Sequence, residues 1–456
     1  MTGIHSDADI RERVDALMPW VVDGLCDLVR IPSVATEGFP AEPVIAAHDA
    51  VVSLLRDAGV EQIDDLIIEG KTGPVVVGTV PGPAGAPTVL LYSHYDVVPA
   101  GDEDLWETPP FEPVERDGAI YGRGTADSKA NIMGIVAALR VFDGKPPVTA
   151  RIVIEGQEEY GSPFDIYPPR DPATFAADVM VIADVGSVRP GVPTMTTALR
   201  GSASVRVDVR TMDGDAHSGL FGGAAPDARQ ALIAALATLH DENGDVAVAG
   251  LLREPWPGIE LDEDEFRGNA GILSDVPLAG TGTLGTRIWT GPAITVIGFD
   301  APAADAPVNA VASRASAVLN LRVHPSQSAA EAQQALVDHL QALRPWGIQI
   351  EVTPGEAGDG FMADQDGHVV KLALDALSRA WECEAGMLGS GGSIPIATSL
   401  QQAAPDAQIL LFGATDGHAA IHAPNERVLL DELRRSIIAK AILLRELGTG
   451  DDQEGA

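Results

Sequence analysis

The chain has 456 residues, 45% hydrophobic and 21% charged, enough apolar material for about two or three packed domains and too much for a disordered polymer. Its 66 acidic residues outweigh 30 basic ones, a formal charge of −36 that argues against nucleic acid and against an anionic membrane surface as partners. Two cysteines, Cys26 and Cys383, exclude a disulfide scaffold and a Cys-based zinc site. With no secretory signal and no run of 18 apolar residues, the expected compartment is the cytoplasm.

Ile10, Val14, Leu17, Val21, Leu25 and Leu28 recur at helical spacing and predict an amphipathic helix over about 8–30, with a second near 43–58. Four β-rich runs follow, 74–80, 88–96, 151–156 and 179–184. They are apolar throughout, as strands buried on both faces of a sheet are. A helix is predicted between them at 130–142. Beyond about 198, apolar and polar residues alternate at 203–211 and 315–323, the pattern of strands with one wet face. Helices are expected at 225–240, with Pro226 near the first turn, and at 329–343. Residues 245–300, rich in Gly, Pro and acids, yield no assignable element. Buried α/β character returns with a helix near 367–382, a strand at 407–413 and a closing helix at 429–447. The expected architecture is an α/β domain split into 1–195 and 358–456, with an α+β domain inserted at 196–357.

Four segments place ligand-type side chains at the ends of apolar runs, where charge is costly unless paired. In LLYSHYD (90–96), His94 and Asp96 lie two apart on a strand and point to the same side. Asp96 would then orient the His94 imidazole, as second partners of metal-bound histidines do; the alternative is a pair that serves packing. In YGRGTADSKA (121–130) the glycines permit a close approach but match no dinucleotide or P-loop spacing, and Asp127 also suits a helix N-cap. In IEGQEEYG (154–161) one of Glu158 and Glu159 would bind a metal while the other takes a proton from water; the alternative is a charged loop. In GHAAIHAPNE (417–426), His418 and His422 lie four apart, but no Glu completes a zinc-helix motif and Pro424 opposes a helix. The spacing alone does not choose between them. Taken together with Asp184 at the end of VMVIAD (179–184), the residues His94, Asp127, Glu159, Asp184 and His422 form an N/O ligand set. Such a set suits two divalent ions that share a carboxylate, with zinc, manganese and cobalt all compatible.

The order HxD, GRGxxDxK, EGxEExGS, a later Asp and HxPNE, spread from Leu90 to Glu426, resembles the M20 family of dinuclear metallopeptidases, and most of all its dipeptidase and carnosinase branch. The resemblance implies a split catalytic domain, built on a mixed sheet flanked by helices, with an inserted lid and dimerisation domain. It implies hydrolysis of dipeptides or short peptides by a water activated between two divalent ions per subunit, zinc foremost. His94 and Asp184 would hold one ion, Glu159 and His422 the other, and Asp127 would bridge them. Asp96 would orient His94, and Glu158 would be the general base; His418 has no counterpart. DAHSGLFGG (215–223) resembles the family's lid-histidine motif, so His217 would donate to the oxyanion, reaching the partner subunit of a homodimer. Asn309, Arg322, Gly392 and Ser393 fall at substrate-binding positions, with Arg322 gripping a carboxylate.

Asp at position 184, where deacylase members tend to have Glu, favours a peptide bond over an N-acyl group; the alternatives are an N-acyl amino acid amidohydrolase and a non-catalytic binding protein of the same fold. The chain departs from the family pattern at Asp127-Ser128-Lys129-Ala130, where Asp-Asp-Lys-Gly is common. It departs again at Gly389 and Ser390, where carnosinase-like members carry Arg-Glu; a charged group near the substrate's end is therefore missing, and carnosine does not follow as the substrate.

Overall fold

Apolar strands dominate the first of two units into which the chain divides, residues 1–197, 363–388 and 395–456. The computed structural model describes residues 6–70, 73–392 and 394–449. The large sheet of this unit runs Gln62–Leu66, Val75–Val80, Thr149–Glu155, Thr88–His94, Val179–Ile182, Gln408–Leu411. The first two are antiparallel to their neighbours. The last four are parallel to one another, which makes the sheet mixed. Strand Val179–Ile182 is buried at every residue, and Thr88–His94 at every residue after the first, because helices cover both faces, as parallel strands require.

Helices Asp7–Val29, Ala130–Val141, His368–Trp381 and Leu430–Thr449 pack against one another. The first opens with a capping box, in which Ser6 accepts from the Asp9 N–H and Asp9 returns a bond to the Ser6 N–H. Helix Ala130–Val141 is buried on every side, with Arg140 alone escaping full burial, as expected of a helix enclosed by others. His94 stands opposite Glu155, and Tyr92 opposite Ile182, so the three central parallel strands end within two residues of one another. Ligands in such sheets bind at the carboxyl ends of the strands, and the loops that leave this edge carry the charged residues.

The second unit, residues 198–362 and 389–394, holds an antiparallel sheet in the order Ala293–Phe299, Arg314–Val323, Gly201–Arg210, Ile350–Gly358. Val205, Val207, Leu319 and Leu321 turn inward to meet Leu232, Leu336 and Leu340 of helices Ala228–Leu236 and Ala329–Ala342. The alternating partners Ser202, Arg206, Asn320 and Arg322 lie on the other face.

Helix Ala228–Leu236 is shorter than the pattern at 225–240 predicts. Asp227 accepts from the N–H groups of Arg229 and Gln230 and so begins the helix after Pro226, which lies outside it. Within 245–300 the structure forms helices Glu263–Ala270 and Leu284–Ile288 and the edge strand Ala293–Phe299. That strand was illegible because Val296, Ile297 and Phe299 are all exposed and break the inward–outward alternation. No helix among the described residues is long and apolar enough to cross a membrane.

Candidate metal centre

At the carboxyl edge of the large sheet the His94 Nε2 lies 3.0 Å from Asp127 Oδ1 and 3.0 Å from Asp184 Oδ1. The His422 Nε2 lies 3.0 Å from Asp127 Oδ2 and 3.0 Å from Glu159 Oε2. Asp127 therefore offers one oxygen to each imidazole. Its backbone belongs to a turn, Thr125–Lys129, that precedes helix Ala130–Val141; the N-cap of that helix is Lys129, so Asp127 is no cap. His422 sits at φ +60 and Ala420 at φ +56, so residues 418–422 are not helical and the two histidines share no helix face. His418 donates its backbone N–H to Asp416.

Asp96 is fully buried and does more than meet His94. The His94 Nδ1 lies 3.1 Å from the Asp96 carbonyl and 3.4 Å from its Oδ1. The two carboxylate oxygens accept from the backbone N–H groups of Glu158, at 3.0 Å, and Glu159, at 3.1 Å. One side chain thus fixes both the histidine and the turn that bears the paired glutamates.

The electrostatics follow from crowding. Burial and the nearby Asp184 push the Glu158 carboxyl up to about 9. Burial pushes Glu159 up to about 7 and Asp184 to about 6, against the pull of their histidine partners. Burial alone would raise Asp127 too, but hydrogen bonds from His422 and His94 hold it well below the usual carboxylate range. Asp127 and Glu159 raise His422 to about 10. The carboxylates of Asp127, Glu158, Glu159 and Asp184 outnumber the two imidazoles that could offset them.

This donor set fits divalent cations. Ligand atoms of His94, Asp127 and Glu159, and again of His94, Glu158 and Asp184, lie within 4.8 Å of one another. Imidazole nitrogens and carboxylate oxygens, with no cysteine, are a borderline-to-hard set. Glu158 falls inside the second group, so geometry alone leaves it able to act as ligand or as base.

Behind the cluster, residues that carry no assignment from the sequence tie the loops down. Glu155 accepts from the Tyr92 hydroxyl at 2.6 Å and from Ser162 Oγ at 2.7 Å. Asn425 accepts from the Glu107 N–H at 2.8 Å. Glu426 and Arg123, both buried, form an ion pair of 2.7 Å.

His217, Asn309, Arg322 and Gly392 belong to the second unit, and Ser393 lies outside the described residues. His217 and Asn309 meet at one small antiparallel ladder: His217 pairs with Ala310, and the Ser218 N–H donates to the Asn309 carbonyl at 3.1 Å. The Gly219 N–H donates to His217 Nδ1, so the tautomer with a proton on Nε2 is favoured and the exposed ring is a ready donor. Arg322 stands opposite Ser202 on the sheet face that the helices leave open. A Cβ at Gly389 would meet the Trp289 indole at 2.4 Å, which explains why no larger side chain stands there.

The sequence profile of peptidase family M20/M25/M40 matches residues 90–445. A cysteinylglycine-S-conjugate dipeptidase of Corynebacterium striatum is 40% identical over 381 residues, which cover 82% of this chain and 84% of that one. The human Beta-Ala-His dipeptidase is 27% identical, with 93% and 87% covered. Among solved structures, the di-peptidase Dug1p of Saccharomyces cerevisiae superposes with a TM-score of 0.74 at 22% identity, over 98% of this chain and 100% of that one; this likeness speaks for the fold.

Proposed function

Because this chain belongs to peptidase family M20/M25/M40, we propose that it is a metal-dependent dipeptidase, cleaving the peptide bond of dipeptides or short peptides. The observation that carries the reading is the buried excess of carboxylates over imidazoles at the sheet's carboxyl edge, an arrangement that calls for divalent cations. His94 and Asp184 would hold one ion and Glu159 and His422 the other, with Asp127 shared and zinc foremost. Bound there, such ions supply Lewis-acid polarisation of the scissile carbonyl and a lowered water pKa.

The protein's own residues do the rest. Glu158, held through its backbone N–H by Asp96, takes the proton of the attacking water and delivers it to the leaving amine. His217 donates from Nε2 to the developing oxyanion. Arg322 grips the substrate's C-terminal carboxylate, with Asn309, Gly392 and Ser393 completing the substrate contacts. Cysteinylglycine-type dipeptides are the first candidates, from the 40% identical relative and from the small Gly389 and Ser390 where carnosinase-like chains carry charge.

We further propose a cytoplasmic homodimer formed through the second unit. Its edge strand leaves Val296, Ile297 and Phe299 exposed, and Leu220 and Phe221 are exposed beside His217, apolar surface that a second copy would cover. A substrate panel tests the activity: Cys-Gly and other free dipeptides against N-acetyl amino acids and against dipeptides with an amidated C-terminus. Free dipeptides should be cleaved best, and the amide should lose about 1.5–3 kcal/mol of binding through Arg322. A preference for N-acetyl amino acids would replace this substrate class with deacylation.

A further inference from the structure

Glu426 is fully buried, and its carboxylate faces donors on the segment that carries Asp127. Its Oε1 accepts from the backbone N–H groups of Ala126, at 2.9 Å, and Asp127, at 3.1 Å. Its Oε2 accepts from the Gly124 N–H at 2.9 Å and from Arg123 Nη1 at 2.7 Å. Its backbone carbonyl accepts from the Gly122 N–H at 2.9 Å. Four donors meeting two oxygens suit an ionised, acceptor-only carboxylate. Gly124 makes the wrap feasible: it sits at φ +82, and a Cβ there would lie 2.5 Å from Val97.

Glu426 and Asp127 are 299 positions apart, yet one side chain binds their segments together. His422 lies on the Glu426 side of this clamp, and its Nε2 meets Asp127 Oδ2 at 3.0 Å. We infer that Glu426 is a positioning residue for the metal centre: its carboxylate fixes the Asp127 turn against the His422 segment and sets the spacing at which the two side chains face a shared cation. The inference rests on the reading of Asp127 as a metal ligand. Glu426 and Asp96 then play matched parts, each a buried carboxylate that holds the backbone of a ligand-bearing turn.

The test uses full-length protein stripped of metal. Wild type, Glu426→Gln, Glu426→Asp and Asp127→Asn are titrated with Zn2+ in competition with a chromophoric chelator, and thermal unfolding of the metal-free proteins is followed alongside. Gln puts an NH2 donor where Gly124 and Arg123 donate, and Asp is one methylene too short to serve both sides. Both Glu426 variants should stay folded and bind Zn2+ about 10–100-fold more weakly, as loss of a supporting partner does. Asp127→Asn should weaken binding at least as much. Wild-type affinity in a folded Glu426 variant, with Asp127→Asn impaired, overturns the inference. Wild-type affinity in Asp127→Asn overturns instead the ligand reading beneath it. Unfolding of both Glu426 variants at every Zn2+ concentration makes Glu426 a residue of the fold and also overturns the inference.

Discussion

In the first unit the strand Val179–Ile182 is apolar and buried from end to end, and charge enters only with Asp184 in the loop beyond it. In the second, Gly201–Arg210 and Arg314–Val323 carry a partly or fully exposed residue at every other position. The difference lies in what covers them: helices on both faces in one case, on a single face in the other. It concentrates ionisable groups at one edge of the first unit, where burial shifts Glu158, Glu159 and Asp184 strongly. In the second unit His217 is exposed and Arg322 lies on the sheet face that the helices leave open. Chemistry that needs tuned groups belongs to the first environment, and recognition suits the second.

Loss of a tuned group should cost the most. Glu158→Gln keeps the shape but loses the base, so turnover should fall by roughly 10²–10⁴-fold with metal content nearly unchanged. Metal analysis beside kinetics checks it. Loss of metal, with activity restored by added metal, would make Glu158 a ligand and exchange its part with Glu159.

A mixing experiment probes the second unit. Glu158→Ala and His217→Ala homodimers should each be nearly inactive. Dissociated, mixed equally and reassociated, they should regain about a quarter of wild-type activity, because half the dimers then hold one complete site of two. No recovery despite confirmed subunit exchange would mean that His217 acts within its own subunit or not at all.

A smaller effect probes the cost of charge in the first unit. Lys440 is buried, donates to Ser436 Oγ at 2.6 Å, and has its ammonium 5.2 Å from the centre of the Phe412 ring. Burial lowers its pKa to about 7. Between about pH 7 and the unfolded-state value near 10.5, the unfolded chain therefore holds the extra proton, and stability should rise with pH by up to about 1.4 kcal/mol per unit. Lys440→Met removes this dependence. Its melting temperature relative to wild type should be highest near pH 7 and decline towards pH 10; a difference constant with pH would show that Lys440 is not neutralised by burial.

Much of this was readable beforehand, for physical reasons that differ by residue. His94 closes an apolar strand and Glu158 and Glu159 follow one closely, so burial periodicity alone marked these positions as costly and worth explaining. Leu319 and Leu321 were legible from alternation. Arg123 and Glu426 were not, because their partners are each other and backbone N–H groups about 300 positions away, which no local pattern reveals. The start of helix Ala228–Leu236 was misplaced because a side-chain cap at Asp227 outweighed helical periodicity. The edge strand Ala293–Phe299 was missed because its exposed apolar residues follow the needs of a surface rather than of a core.

Hydrolysis by this enzyme should depend on divalent ions bound at its carboxylate-rich edge. The most direct measurement is metal analysis of active, extensively dialysed protein, with Cys-Gly hydrolysis followed in the presence of a strong chelator. About two divalent ions per chain are expected, with loss of activity on chelation and recovery on adding Zn2+, Mn2+ or Co2+. Full activity in protein that retains no divalent ion would contradict it.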